Sequence, residues 1–388
     1  MSDTIITYFP VGNGGMILIR LNDNAKTTVL FDINIRDPYG SKEDICDVAQ
    51  ELRDRLPTDS ENRPYVDAFI LTHHHDDHIL GFLEHFHVGA LADYKKLKDD
   101  ENPKIVIREL WSTPRFWKQP SETYALSDDA KGFNNEMRRR VELFKDKQYI
   151  QPEGDRAIII GKDPDGKTNG LDRIIREVGT MFSTINERNI VSKIEGFILG
   201  PLDKQVDEID EDFDDKNRQS IILQLNVKES LYNHKILLTG DAECLVWETL
   251  WGLYNNTDLL DYDLLSTPHH CSWHSLSHDS QSEDDNPTVC GKAKKALSKI
   301  KNSARIIAQC KPIKDDDDDP PSKAAKDVYL TIVSEDHFYC TDEHPDEKNP
   351  EPIEFNLTSN GPQKKGVKEK SKLTVAALAS TKESYPHG

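Results

Sequence analysis

Apolar residues along this chain gather into short blocks that each end on polar or acidic side chains, the pattern of buried strands handing reactive groups to a sheet edge. Val66-Asp67-Ala68-Phe69-Ile70-Leu71 predicts one such strand, and Thr72-His73-His74-His75-Asp76-Asp77-His78 follows at once. Tyr8 to Ile19 reads as a strand, a Gly-rich turn and a second strand, and Thr28-Val29-Leu30-Phe31-Asp32 as a third. Lys235 to Asp241 repeats the apolar strand with an acid at its tip, and Asp263 to Ser272 runs into the pair His269-His270. Ile45, Val48, Ala49, Leu52 and Leu56 fall at helical spacing, which predicts a helix over 41–56 capped by Ser41. A second helix is expected from Ile79-Leu80-Gly81-Phe82-Leu83, with Asp76 or Asp77 at its N-terminus, and a third over Asn134–Lys147. Lys104 to Ser112 reads as a strand, Asp155–Gly170 as a strand and turn, and Ile353 to Leu357 alternates like a late edge strand.

Composition narrows the class. A chain of 388 residues exceeds the usual size of one core, so a catalytic domain with additions is expected. The polar, Lys-rich stretch 363–388 reads as a tail. Charged residues make up 30% and the mean hydropathy is −0.66, which points to solvated insertions. A formal charge of −20 argues against generic avidity for polyanions, because non-specific nucleic-acid binding rests on neutralising phosphates. It leaves a nuclease open, since bound metal supplies local positive charge. Eight acids lie within Asp203–Asp215, and Asp315–Asp319 is five in succession; both read as solvated loops. Cysteines 46, 244, 271, 290, 310 and 340 show no paired CxxC spacing and read as free thiols, Cys271 as packing. No apolar run approaches ~20 residues, and no basic-then-apolar leader opens the chain, so the expectation is a cytoplasmic protein without a membrane span.

The candidate chemistry sits in His73-x-His75-x-Asp77-His78. Imidazole and carboxylate without thiolate suit Zn²⁺, Mn²⁺ or Fe, and two-metal hydrolases use this mixture. The motif resembles the HxHxDH signature of the metallo-β-lactamase fold superfamily. The Gly12-x-Gly14-Gly15 turn, Thr239-Gly240-Asp241 and Pro268-His269-His270-x-Ser272 follow in that family's order. They look most like the soluble domain of the bacterial DNA-uptake channel protein and related stand-alone bacterial metallohydrolases. The resemblance covers residues 5–35, 65–82 and 195–278 and implies an αββα sandwich, two mixed sheets flanked by helices, with two divalent metal ions. It also implies core at 1–112 and 195–362, with an insertion at 113–194 near the active-site face. It implies that Asp241 bridges both metals, that Asp32 lies beside them and that the 269–270 pair brings the last ligand. One element departs from the pattern: a further ligand histidine is missing before Asp241, where only His85, His87 and His234 occur between 79 and 240. Asn217 and Ser220 stand in the corresponding block, so water or Asn217 would complete one metal's shell.

On this reading His73, His75 and Asp241 hold one metal, while Asp77, His78, Asp241 and His269 hold the other. The two cations, about 3.5–4 Å apart, would clamp a water whose pKa falls towards ~7, and Asp77 would orient it. Asp32 would fix a ligand histidine by a hydrogen bond from behind. His74 is expected to be structural. Of the tandem, His269 is favoured as ligand, leaving His270 to donate a proton to the leaving oxygen or to hold a phosphate. His274, with Trp273 and His278, borders the site as a candidate substrate contact; Lys216, Arg218 and Arg138–Arg140 are candidate phosphate contacts. The leading function is hydrolysis of a phosphodiester, in nucleic acid or a nucleotide, with a protein partner or homo-oligomer open. The alternatives are a carboxylic ester, thioester or lactone hydrolase, and a metal-bearing interaction module of a bacterial defence-type system.

Overall fold

The computed structural model describes residues 3–37, 45–95, 102–118, 126–163, 165–202, 219–229, 231–280, 287–316 and 318–366. Two large mixed sheets and six α-helices give these residues a mixed α/β fold. The first sheet takes β1 (Ile5–Tyr8), β2 (Ile17–Arg20), β3 (Thr28–Phe31), β4 (Tyr65–Ile70), β5 (Val106–Ser112), β6 (Arg156–Ile160) and β7 (Ile175–Arg176). Two late strands, β15 (Ile353–Thr358) and β16 (Gly361–Lys364), extend it beyond β1. Pairing is antiparallel from β16 through β3 and parallel from β3 to β7. In the second sheet β8 (Met181–Phe182), β9 (Ile194–Gly200), β10 (Ile222–Glu229) and β11 (Tyr232–Leu238) run antiparallel. From β11 the pairing turns parallel, through β12 (Tyr262–Ser266), β13 (Ile300–Ala308) and β14 (Phe338–Cys340).

Period-two alternation sorts side chains between layers. Ile70 faces a middle core drawn from both sheets, with Phe31, Trp111, Leu223, Ile236 and Leu264, whereas its neighbour Phe69 faces outward. Outside the first sheet lie α1 (Val48–Arg53), α2 (Phe82–His85) and α3 (Asp128–Lys147), where Phe133 packs edge-on to Phe69 and Phe82. Outside the second lie α4 (Cys244–Tyr254), α5 (Gly291–Leu297) and α6 (Lys323–Tyr329), over Leu237 and Leu265. Every residue of β4 is buried, as a strand covered on both faces must be. Burial of each large apolar side chain contributes about 1.5–3 kcal/mol.

Several expected elements differ. The helix expected over 41–56 is the shorter α1, capped by Asp47, whose carboxylate accepts from Gln50 N; Ser41 lies outside the described residues. Ile79-Leu80 forms a short strand beside Ile33–Asn34, and α2 begins only after Gly81, whose φ of +88° breaks the run. Asp76 and Asp77 therefore open a single 3-10 turn, Asp76–His78, rather than a longer helix. Helix α3 reaches back to a Ser127 cap. The stretch 113–194, expected as an insertion near the active-site face, supplies β8 to the second sheet, and α3, β6 and β7 to the first sheet and its outer layer. Its Phe133, Met137, Val141 and Phe144 demand burial there. Strand β15 alternates as expected but is not an edge, because β16 folds back onto it and takes in Gln363 and Lys364 of the expected tail. The acidic stretch 203–215 lies outside the described residues. No helix among the described residues is long and apolar enough to cross a membrane.

Candidate metal centre

Four strand ends converge where the two sheets meet, all on strands of their parallel halves. Strand β3 ends at Asp32, β4 at Thr72–His78, β11 at Thr239–Asp241 and β12 at Thr267–His270. Parallel strands present ligand-binding groups at their C-terminal ends, beyond the last ladder bond. A backbone hydrogen bond from Ile221 N to Thr72 O joins the two sheets at this rim.

The side chains form two groups that share one carboxylate. His73, His75 and Asp241 make one, and Asp77, His78, Asp241 and His270 the other; the donor atoms of each lie within 4.8 Å of one another. Hydrogen bonds behind the rings set which nitrogen faces inward. Asp32 Oδ2 stands 2.7 Å from His78 Nδ1, so that nitrogen donates and Nε2 carries the lone pair. The Thr72 hydroxyl donates to Asp32 Oδ2 at 2.6 Å, which leaves its oxygen to accept from His73 Nδ1 at 3.1 Å. His270 Nδ1 donates to the Gln309 carbonyl at 3.0 Å. Three Nε2 lone pairs therefore point at the Asp241 carboxylate. His78 Nε2 lies 3.1 Å from Oδ1, with His73 Nε2 3.3 Å and His270 Nε2 3.4 Å from Oδ2.

Acceptors facing acceptors in a buried place require a positive charge between them. Asp241 is 1% exposed, and its Oδ2 accepts no well-directed hydrogen bond. The residues fit a pair of cations: imidazole and carboxylate donors, a shared acid and an orphaned buried oxygen. Electrostatics carry the same demand. Burial opposes ionisation of Asp241, yet His270, His78 and His73 hold its pKa well below the usual carboxylate range. Burial likewise opposes charge on His270, but Asp241 and Asp77 push its pKa up to about 9. His78 is raised well above its ordinary value, against burial, by Asp241, Asp32 and Asp77. Burial and the neighbouring His78 lower His73. The raised values of His78 and His270 mark the place where positive charge is favoured.

One ligand expectation is corrected. The ring brought into the cluster is that of His270, not His269. Residues 269, 270 and 271 all have positive φ (47°, 52° and 67°), a left-handed run that side chains rarely adopt and that only strong surroundings maintain. His269 N is held by Gly240 O and His270 Nδ1 by Gln309 O, and this twist turns the second ring inward. His269 Nδ1 is buried without a partner. His274 is half exposed, 3.9 Å from Asp319, and joins neither donor group. Ser220 Oγ accepts from Asp241 N at 3.1 Å, supporting the shared acid; Asn217, Lys216 and Arg218 lie outside the described residues. His74 is buried against Phe133, near Ser112 Oγ. Arg139 and Arg140 are committed to Glu136, Arg139 also to Asp155 and Arg140 to backbone carbonyls, so these two are not free for phosphate; Arg138 bonds Asn135, on the exposed face.

Thr72 and Gln309 escaped the sequence reading, as did the close contact made by Gly15 of the glycine turn. Thr72 adjoins the motif, and its relay to Asp32 was open to suspicion. Gln309 carries no motif; it lies one residue beyond β13 and also accepts from Met16 N through its side chain. Gly15 packs so closely that a Cβ there would fall 2.8 Å from His78 Nδ1 and 2.9 Å from Asp32 Oδ2. Beyond this glycine turn, Asn13 and Arg36 line a cleft of about 480 Å³ that shares no residue with the cluster. Arg36, Lys311, Lys314 and Lys348 there are interleaved with Asp316, Asp318, Asp342 and Glu347. Set against known proteins, the chain matches no family model, no curated protein and no solved structure.

Proposed function

We propose that the chain is a metal-dependent hydrolase with the αββα sandwich of the metallo-β-lactamase superfamily, acting on phosphodiesters. The observation that carries this reading is the sharing of Asp241 between two donor groups whose imidazole lone pairs converge on it. The order of layers, helices–sheet–sheet–helices, supports the fold assignment. Two cations bound there, Zn²⁺ or else Mn²⁺ or Fe, would activate water and offset charge on the attacking and departing oxygens of an in-line displacement.

The residues divide the remaining work. Asp241 would serve both cations, while Asp32, Thr72 and Gln309 hold three rings in the tautomer that presents Nε2. The group of His73, His75 and Asp241 supplies three protein donors, the number that keeps a position for water or substrate. Asp77, 38% exposed at its side chain, is the cluster carboxylate that reaches solvent and can orient a water. His269 inherits the role expected of His270, as a ring beside the ligands able to pass a proton to a leaving oxygen. The acidic balance of the chain, a formal −20, favours a small nucleotide or short single strand over long duplex.

Metal-loaded protein assayed on bis(p-nitrophenyl)phosphate and p-nitrophenyl acetate tests the reading. Turnover of the phosphodiester that requires metal and is lost in Asp241→Asn supports it. Turnover of the acetate alone makes the chain an acyl hydrolase, and turnover of neither leaves an interaction module.

A further inference from the structure

We infer that Cys244, His278 and Cys290 form a separate structural zinc site that braces the turns of the metal centre from behind. Ligand atoms of the three residues lie within 4.8 Å of one another, and none belongs to the His/Asp cluster. They come from three places in the fold. Cys244 is the first residue of α4, three positions after Asp241; Cys290 is the N-cap of α5; and His278 ends the segment that leaves His270 through Trp273. Cys244 is buried, Cys290 half-buried and His278 exposed, so the group opens to solvent on one side only.

Three features suit a cation of thiolate preference. Two sulfurs and an imidazole select Zn²⁺ over the hard ions that oxygen donors take. Glu248, one turn along α4 from Cys244, sets Oε2 3.0 Å from His278 Nε2, an acidic partner for the ring, while its Oε1 pairs with Lys292 at 2.8 Å. The segment is already stapled for closure: Ser277 Oγ donates to Thr288 O, Thr288 N and Oγ1 donate to Asp279, and Cys290 N donates to Leu276 O. On binding, both thiols give up their protons to solvent as two Zn–S bonds form. The bound ion would fix the start of α4 to the segment after His270, and so hold Asp241 and His270 in register.

Cobalt distinguishes this site from the His/Asp centre, because only thiolate ligands give a near-ultraviolet charge-transfer band. The full-length chain, stripped with chelator under reducing conditions and refilled with Co²⁺, is expected to show that band. His75→Ala should keep it, Cys290→Ser should lose it together with one metal equivalent per chain, and His278→Ala should weaken it. Should Cys290→Ser fail to fold, alkylation of wild-type Cys290 by iodoacetamide reads the same point: Zn²⁺ should protect it at least tenfold. A refilled wild type without the band, a band indifferent to Cys290→Ser, or alkylation unchanged by Zn²⁺ overturns the site. So does a Cys244–Cys290 disulfide found in place of metal by mass spectrometry of the protein as isolated.

Discussion

Single residues decide whether the cluster binds cations or merely collects histidines. Asp32 touches no position a metal would take, yet it holds His78 directly and His73 through Thr72. Asp32→Ala should weaken metal affinity about 10–100-fold, read by competition with a chromophoric chelator, while the fold survives by circular dichroism. The tandem histidines make a sharper contrast. His270→Ala should remove about one metal equivalent per chain by elemental analysis. His269→Ala should leave metal content unchanged and lower turnover by about 10²–10⁴-fold, as loss of a positioned acid does. The inverse result would restore the sequence expectation for His269. That expectation arose because the sequence places both rings in one turn and is silent on which faces inward. The choice rests on three successive left-handed residues and on the Gln309 carbonyl, thirty-nine positions away. The acids at strand tips were legible for the opposite reason, since an apolar run ending in Asp is local information.

At the scale of elements, α3 shows how a basic run can mislead. Arg140 is buried and pairs with Glu136, as Arg139 does from the same helix, so these charges hold the helix to β5 and β6 instead of meeting substrate. Burial opposes charge on Glu136, but Arg139 and Arg140 hold its pKa below the ordinary glutamate value. Its contribution to stability is therefore complete above the unfolded-state pKa of about 4.3 and is lost as pH falls through the lower folded value. Glu136→Gln should cost about 3–5 kcal/mol at neutral pH, because it strands a buried guanidinium. The deficit should shrink below pH ~4, as urea unfolding at the two pH values would measure. Helix α1 and the strand at Ile79 were misjudged over their extent because capping by Asp47 and the positive φ of Gly81 outweigh apolar spacing.

For the whole molecule, two sheets joined at one rim turn distant stretches into a single pocket of acceptors. The strand tips were readable from their motifs and the helix over 134–147 from its spacing; the sheet that this helix faces was not, because no local pattern announces it. Against burial, Asp241, Asp32 and Asp77 favour positive charge on His78, and Asp241 and Asp77 favour it on His270, whose pKa stands near 9. Metal loading at neutral pH should then release protons, fewer as pH rises past that value. Calorimetry in buffers of differing ionisation enthalpy reads the number, and a heat independent of buffer would refute the assignment. The most direct test is anomalous diffraction from crystals loaded with Zn²⁺ or Mn²⁺. The account predicts two peaks astride the Asp241 carboxylate, one about 2.0–2.2 Å from His73 and His75, the other from His78, His270 and Asp77. A single peak that leaves Asp241 uncontacted, or a rim without any peak, would contradict it.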